Sequence, residues 1–119
     1  MGMFEVKVKM ASPAAPDRTV ELLLLVDTGA TLSWIPRAAL ESIGAVPVSR
    51  LPFSLADGRR LERDVAGVIL AIDGRRAPVP VAFGEQGEEA VLGATALEAL
   101  GFVVDPISKK LVPRDLLAL

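Results

Sequence analysis

Two Asp-Gly pairs, Asp57-Gly58 and Asp73-Gly74, each lie between runs of extended-type residues, and they constrain the fold more than any other feature of the chain. Glycine accepts the positive φ that a tight reversal demands, so Asp-Gly between apolar runs turns one strand back on the next. The flanking runs are Pro52 to Leu55 with Leu61 to Val65, and Val68 to Ile72 with Ala77 to Phe83, which predicts two successive hairpins. Upstream, Phe4, Val6, Val8 and Met10 alternate with polar residues as a half-buried strand does, and Ser12 to Asp17 with its prolines is a loop. Val20 to Val26 is apolar almost throughout, which predicts a central strand covered on both faces. A short strand over Leu32 to Ile35 leads into a helix over Arg37 to Ile43, with Pro36 at its first position and Gly44 closing it. Gly84 to Glu89 is a loop, Ala90 to Leu92 a short strand, and Thr95 to Leu100 a helix stopped by Gly101. Phe102 to Val104 and Lys110 to Val112 complete an all-β outline: a small closed barrel with one or two short helices, forming a single domain over residues 1–119.

There is also a faint internal repeat. Val26 to Gly44 and Val91 to Gly101 share an apolar strand end, the triplet Gly-Ala-Thr, a short helix and a terminal glycine. That pattern predicts a pseudo-twofold chain with Gly29 and Gly93 in equivalent tight loops.

The residue types that are missing narrow the chemistry. The 119 residues include no Cys, no His and no Tyr, which removes thiol nucleophiles, imidazole bases and zinc sites; no metal and no cofactor are expected. The net charge of -2 and the scattered Arg59-Arg60, Arg75-Arg76 and Lys109-Lys110 pairs, which read as solvated turn residues, argue against nucleic acid as a partner. No apolar run is long enough for a membrane span, because Leu22 to Val26 is broken by Asp27. Without cysteines or a leader-like apolar segment the expected location is cytoplasmic, with translation beginning at Met1.

The stretch ELLLLVDTGATLSWIP, Glu21 to Pro36, drives a greasy strand into a carboxylate. Asp27-Thr28-Gly29 reads as a simple turn, since Asp and Gly are common at strand ends. A phosphoryl acceptor or Mg²⁺ ligand would need another carboxylate nearby in sequence, and Thr28, Gly29, Ala30 and Thr31 supply none. A phosphate-binding glycine loop is excluded, as no Gly-rich segment ends in Lys followed by Ser or Thr. The remaining reading uses two carboxylates close together, which share one proton and act as base and acid on a water and a carbonyl. One chain offers one such Asp, so a twofold homodimer would bring two copies of Asp27 together.

These residues resemble the retropepsin-like aspartic proteases. The marks are the apolar strand into Asp27-Thr28-Gly29-Ala30, the hairpin around Ala56 to Arg59, then Val91-Leu92-Gly93 and the helix after it, in the family's order from about Glu21 to Gly101. The resemblance implies an acid-protease-like barrel whose shared site takes Asp27 from each protomer as the catalytic residue, holding water between the two carboxylates. Thr28 would interlock across the dimer axis, and Gly29 would let the substrate backbone approach closely. Ala30, Leu32, Trp34, Val91 and Leu92 become pocket candidates. The hairpin over about 52–64 corresponds to the family's flap, with Asp57-Gly58 near its tip and Ala56 beside it, closing over an extended peptide or protein segment that adds as a strand.

The chain also departs from the viral pattern. Thr31 and Ala94 stand where viral members usually carry an acidic residue and an arginine, so the dimer must be held differently. Trp34 is bulkier than the expected aliphatic residue, and Asp57, Arg59 and Arg60 replace a Gly-rich, apolar flap. The segment 102–119 is expected to stabilise the dimer as a strand followed by a turn or short helix. The function implied is a homodimeric aspartic endopeptidase; the alternative from another class is an inactive dimerisation or peptide-binding module on the same fold.

Overall fold

The computed structural model describes residues 4–119; Met1 to Met3, including the expected start of translation, lie outside the described residues. In chain order the elements are β1 (Glu5–Ala11), β2 (Val20–Val26), β3 (Ser33–Pro36), α1 (Arg37–Ser42), β4 (Ser49–Ser54), β5 (Arg60–Ile72), β6 (Arg75–Gly84), β7 (Val91–Leu92), α2 (Ala94–Leu100), β8 (Phe102–Asp105) and β9 (Lys110–Pro113). The main sheet runs β1-β2-β7-β3-β6-β5-β4, and a further β1–β5 pairing closes its first six strands into a ring. β4 stands outside that ring and, among the described residues, pairs as a strand with β5 alone. The strands β8 and β9 form a separate antiparallel pair.

Alternation sets which side chains enter the ring. The register pairing Val6 with Leu24 and Val8 with Leu22 places those residues on one face, while Lys7 and Leu23 face outward together. Met10, Leu24, Leu70, Phe83, Leu92 and Leu97 meet in a single core. Fully burying each Leu, Met or Phe contributes roughly 1.5–3 kcal/mol. The helices lie at matching places: α1 follows β3, and α2 follows β7.

The structure alters several expectations. β2 is not covered on both faces: Leu23 is 59% exposed, because alternation turns it to the outer side, away from the core that buries Leu24. Pro36 ends β3 with ψ 135° and caps α1 from outside. Leu61–Val65 and Val68–Ile72 fuse into the single strand β5, since Gly67 leaves the ladder to β6 unbroken. Residues 114–119 form no helix. Arg75 is not a solvated turn residue: its Nη1 donates to the carbonyls of Leu100, Gly101 and Arg114 at 3.1, 2.8 and 3.1 Å, tying the end of α2 to the C-terminal segment.

The pseudo-twofold is written in the pairing pattern. Exchanging β1 with β5, β2 with β6 and β3 with β7 maps the antiparallel β1–β2 pair onto β5–β6 and the parallel β2–β7 pair onto β6–β3. The β1–β5 and β3–β7 pairs map onto themselves. This exchange corrects the register of the internal repeat. The turn after β2, Asp27-Thr28-Gly29, corresponds to the turn after β6, Glu85-Gln86-Gly87, and not to the loop at Gly93. The two Gly-Ala-Thr triplets instead meet: the Ala94 and Thr95 amides donate to the Ala30 and Thr31 carbonyls at 2.8 and 3.0 Å.

Candidate active site

Asp27 is delivered by the parallel β2–β7 ladder, which continues one residue beyond the strand as the Asp27 amide donates to the Leu92 carbonyl at 3.0 Å. The chain then turns, with the Ala30 amide on the Asp27 carbonyl at 3.2 Å and the Gly29 amide on Asp27 Oδ1 at 2.9 Å. The side chain thus fixes its own loop through an Asx turn. Among the described residues no Lys or Arg pairs with this half-buried carboxylate. Gly93 closes the loop from the other side. A Cβ there would stand 2.5 Å from the Leu32 carbonyl oxygen and 2.8 Å from that of Ala30, while the Gly93 amide donates to the buried Ser33 Oγ at 3.0 Å.

Asp27 opens onto a cleft of about 770 Å³ between this loop and the β4–β5 hairpin. Asp27, Gly29, Ala30, Leu32, Trp34, Ala56 and Val91, all singled out from the sequence, line it together. Thr28, one residue from Asp27, instead lines a second, apolar pocket of about 690 Å³ with Leu97, Phe102, Leu116 and Leu117. Leu92 is a correction: it is fully buried in the core, because strand alternation sends it inward where Val91 faces the cleft. Asp57 and Gly58 are also displaced from the cleft wall, standing exposed at the hairpin tip with the Asp57 carboxylate bound to its own neighbour Arg59. The Arg59 amide and guanidinium hydrogen bonds hold the Asp57 carboxyl below its usual range.

The sequence places the hairpin over the cleft but its apolar lining and the charges around it were missed. Leu51, Phe53, Leu55 and Leu61 line the cleft, and the first three stand at every second position, a signal that was legible. Phe53 meets Trp34 edge to face at 5.1 Å, tying β4 to the cleft floor. Behind them, Arg37 binds Glu85 through two nitrogens and Asp64 at 2.9 Å, Arg50 joins Asp64 at 3.1 Å, and Arg63 pairs with Glu88. Arg63 also lies over the Trp34 ring, 5.8 Å from its centre. Hydrogen bonds from Arg37 lower Glu85, those from Arg37 and Arg50 lower Asp64, and one from Arg63 lowers Glu88. The guanidinium of Arg37 is raised in turn, by Glu85 first and Asp64 second. These pairs join α1, the β4–β5 hairpin and the turn after β6, and nothing in the spacing of the sequence announced them. Among the described residues no cluster of three or more potential ligands could hold a metal ion, and no helix is long and apolar enough to cross a membrane.

Comparison with known proteins gives the geometry a context. A search of curated proteins finds no match. Among solved structures, the EIAV protease complexed with the inhibitor HBY-793 is similar at TM-score 0.59 and 20% identity, over 82% of this chain and 86% of that one. The simian foamy virus (mac) protease is similar at TM-score 0.56 and 18% identity, over 79% of this chain and 91% of its own. A foamy viral protease-reverse transcriptase in complex with an RNA/DNA hybrid is similar at TM-score 0.54 and 16% identity, over 96% of this chain and 13% of that longer one. These likenesses establish a retropepsin-like fold. The family model described as "Aspartyl protease" matches residues 14–96, more than two thirds of the sequence, and the chain therefore belongs to the aspartyl protease family.

Proposed function

We propose that the protein is a homodimeric aspartic endopeptidase in which the Asp27 carboxylates of two protomers share one proton and activate a water against a peptide carbonyl. The observation that carries this reading is a carboxylate with no basic partner among the described residues, on the floor of a cleft roofed by a hairpin. Two such groups a few ångströms apart cannot both ionise easily, so one is base to the water while the other donates to the carbonyl oxygen. The retained proton sets the working range on the acid side of neutrality. The hairpin over about 52–64 acts as the flap, and an extended peptide lies beneath it with its backbone close to Gly29.

The second carboxylate requires a second copy. Thr28 borders an apolar pocket reaching to the C-terminal segment, where Leu116 and Leu117 are 65% and 90% exposed. β8 and β9 form a two-stranded sheet, an arrangement of marginal stability until more strands or packing are added. Both features fit assembly through residues 102–119 of a single 1–119 domain.

The test is digestion of a peptide library across pH by wild type and Asp27→Asn, with the mass in solution measured on the same samples. Cleavage in acid by a wild-type dimer, abolished in an Asp27→Asn dimer, is the expected result. Cleavage by the variant at the original rate, or a strictly monomeric active protein, overturns it. The Trp34–Phe53 contact favours one other reading, a peptide-binding module whose hairpin is pinned to the floor; binding without cleavage at any pH would select that reading.

A further inference from the structure

Two consecutive glutamates border the cleft, and their surroundings differ. Glu88 is fully engaged: its carboxylate pairs with Arg63 and accepts the Glu85 amide at 2.7 Å. Glu89 is exposed and has no ion pair among the described residues. The other ionisable group on the cleft wall is Asp27, and among the described residues no Lys or Arg lines it. The nearby Arg63 is engaged by Glu88 and lies over the Trp34 ring, and it makes no ion pair with Glu89 among the described residues. The rest of the wall is largely apolar, with Leu32, Trp34, Leu51, Phe53, Leu61 and Val91.

We infer that Glu89 is a specificity-determining residue, selecting peptides that present a Lys or Arg side chain next to apolar residues and disfavouring acidic ones. The inference rests on the proposed peptide-cleaving cleft and names its substrate class. The methylenes of a Lys or Arg side chain cover apolar wall while the charged end reaches a carboxylate in water. An acidic residue at the same place meets Glu89 and Asp27 with no cation to offset them, so the discrimination is repulsive as well as attractive.

The experiment uses the full-length protein and a panel of eight-residue apolar peptides in which each flanking position in turn is Lys, Gln or Glu. Cleavage is followed with wild type, Glu89→Gln and Glu89→Lys; in parallel, binding of the same panel to Asp27→Asn is measured with and without Glu89→Gln. At one position Lys peptides are expected to exceed Glu peptides by roughly two- to fivefold in kcat/KM and in affinity, the span of a solvent-exposed ion pair. The ratio falls to near one in Glu89→Gln and inverts in Glu89→Lys. An unchanged ratio in Glu89→Gln, or no charge preference at any position, overturns the inference while leaving the peptidase intact. Selective binding without any cleavage overturns the peptidase and keeps the selectivity; neither binding nor cleavage overturns both.

Discussion

The turns that follow β2 and β6 occupy corresponding places in the pseudo-twofold, and each begins with a carboxylate and has glycine at its third residue: Asp27-Thr28-Gly29 and Glu85-Gln86-Gly87. Each is closed by an amide three residues on donating to the first carbonyl, Ala30 to Asp27 at 3.2 Å and Glu88 to Glu85 at 3.1 Å. Their electrostatics diverge. Among the described residues the Asp27 carboxylate accepts only the Gly29 amide, whereas Glu85 lies in the fork of Arg37 and Glu88 is paired with Arg63. One half of the chain keeps its acid available, and the other uses its acids as struts for the hairpin root. Under the proposed chemistry a chain built this way supplies one carboxylate of a pair, and a second copy would supply the other.

The strongest challenge to that contrast is to neutralise the first acid of each turn. Asp27→Asn is expected to lower kcat by about 10³-fold or more with the melting temperature unchanged, the range of a lost general acid-base group. Glu85→Gln should do the reverse, keeping cleavage and lowering the melting temperature, because Arg37 loses its principal partner. Equal losses of activity would erase the distinction. Next in size is Gly93→Ala, where the new methyl would collide with the backbone at Leu32 and Ala30; a loss of about 2–4 kcal/mol in denaturant unfolding is expected. The glycines of the two turns separate the halves further. Gly87, at φ +86°, should lose about 1 kcal/mol on substitution by Ala with cleavage retained. Gly29→Ala meets only Asp27 Oδ1 at 3.2 Å, so stability should hardly move while cleavage falls.

The smallest effect is in the pH dependence of unfolding. Glu85, Glu88 and Asp64 have carboxyls lowered below their usual range by arginine hydrogen bonds. The unfolded chain therefore binds more protons in the acid range. Their stabilisation is complete above the ordinary carboxylate values of about 4 and is lost as pH falls through the lowered folded ones. Glu88→Gln should remove about 1 kcal/mol at neutral pH and flatten that acid fall, as measured by denaturant titration from pH 7 to 3.

The parts of this molecule that were legible in sequence are those fixed by local chemistry. Asp57-Gly58 and Asp73-Gly74 marked their reversals, because the turn's dihedral demands are carried by the residues themselves. Asp27 stood out through the contrast between an apolar strand and a charge. Features that depend on partners distant in sequence did not show. Leu23 looked like core because composition does not reveal which strand face remains uncovered. Arg37, Asp64 and Glu85 meet across intervals of 27 and 48 residues. The repeat was misregistered because matching letters, Gly-Ala-Thr, drew attention away from the matching architecture, in which Asp27 corresponds to Glu85.

The guanidinium of Arg75 fastens the terminal segment at the Arg114 carbonyl, and the Arg114 amide answers with a 2.8 Å bond to Gly101. Among the described residues no backbone hydrogen bond holds anything beyond that knot. Clipping the chain after Arg114 would accordingly strip Leu116, Leu117 and Leu119 while sparing the fastening itself, so a single stop codon would test the proposed self-association apart from folding.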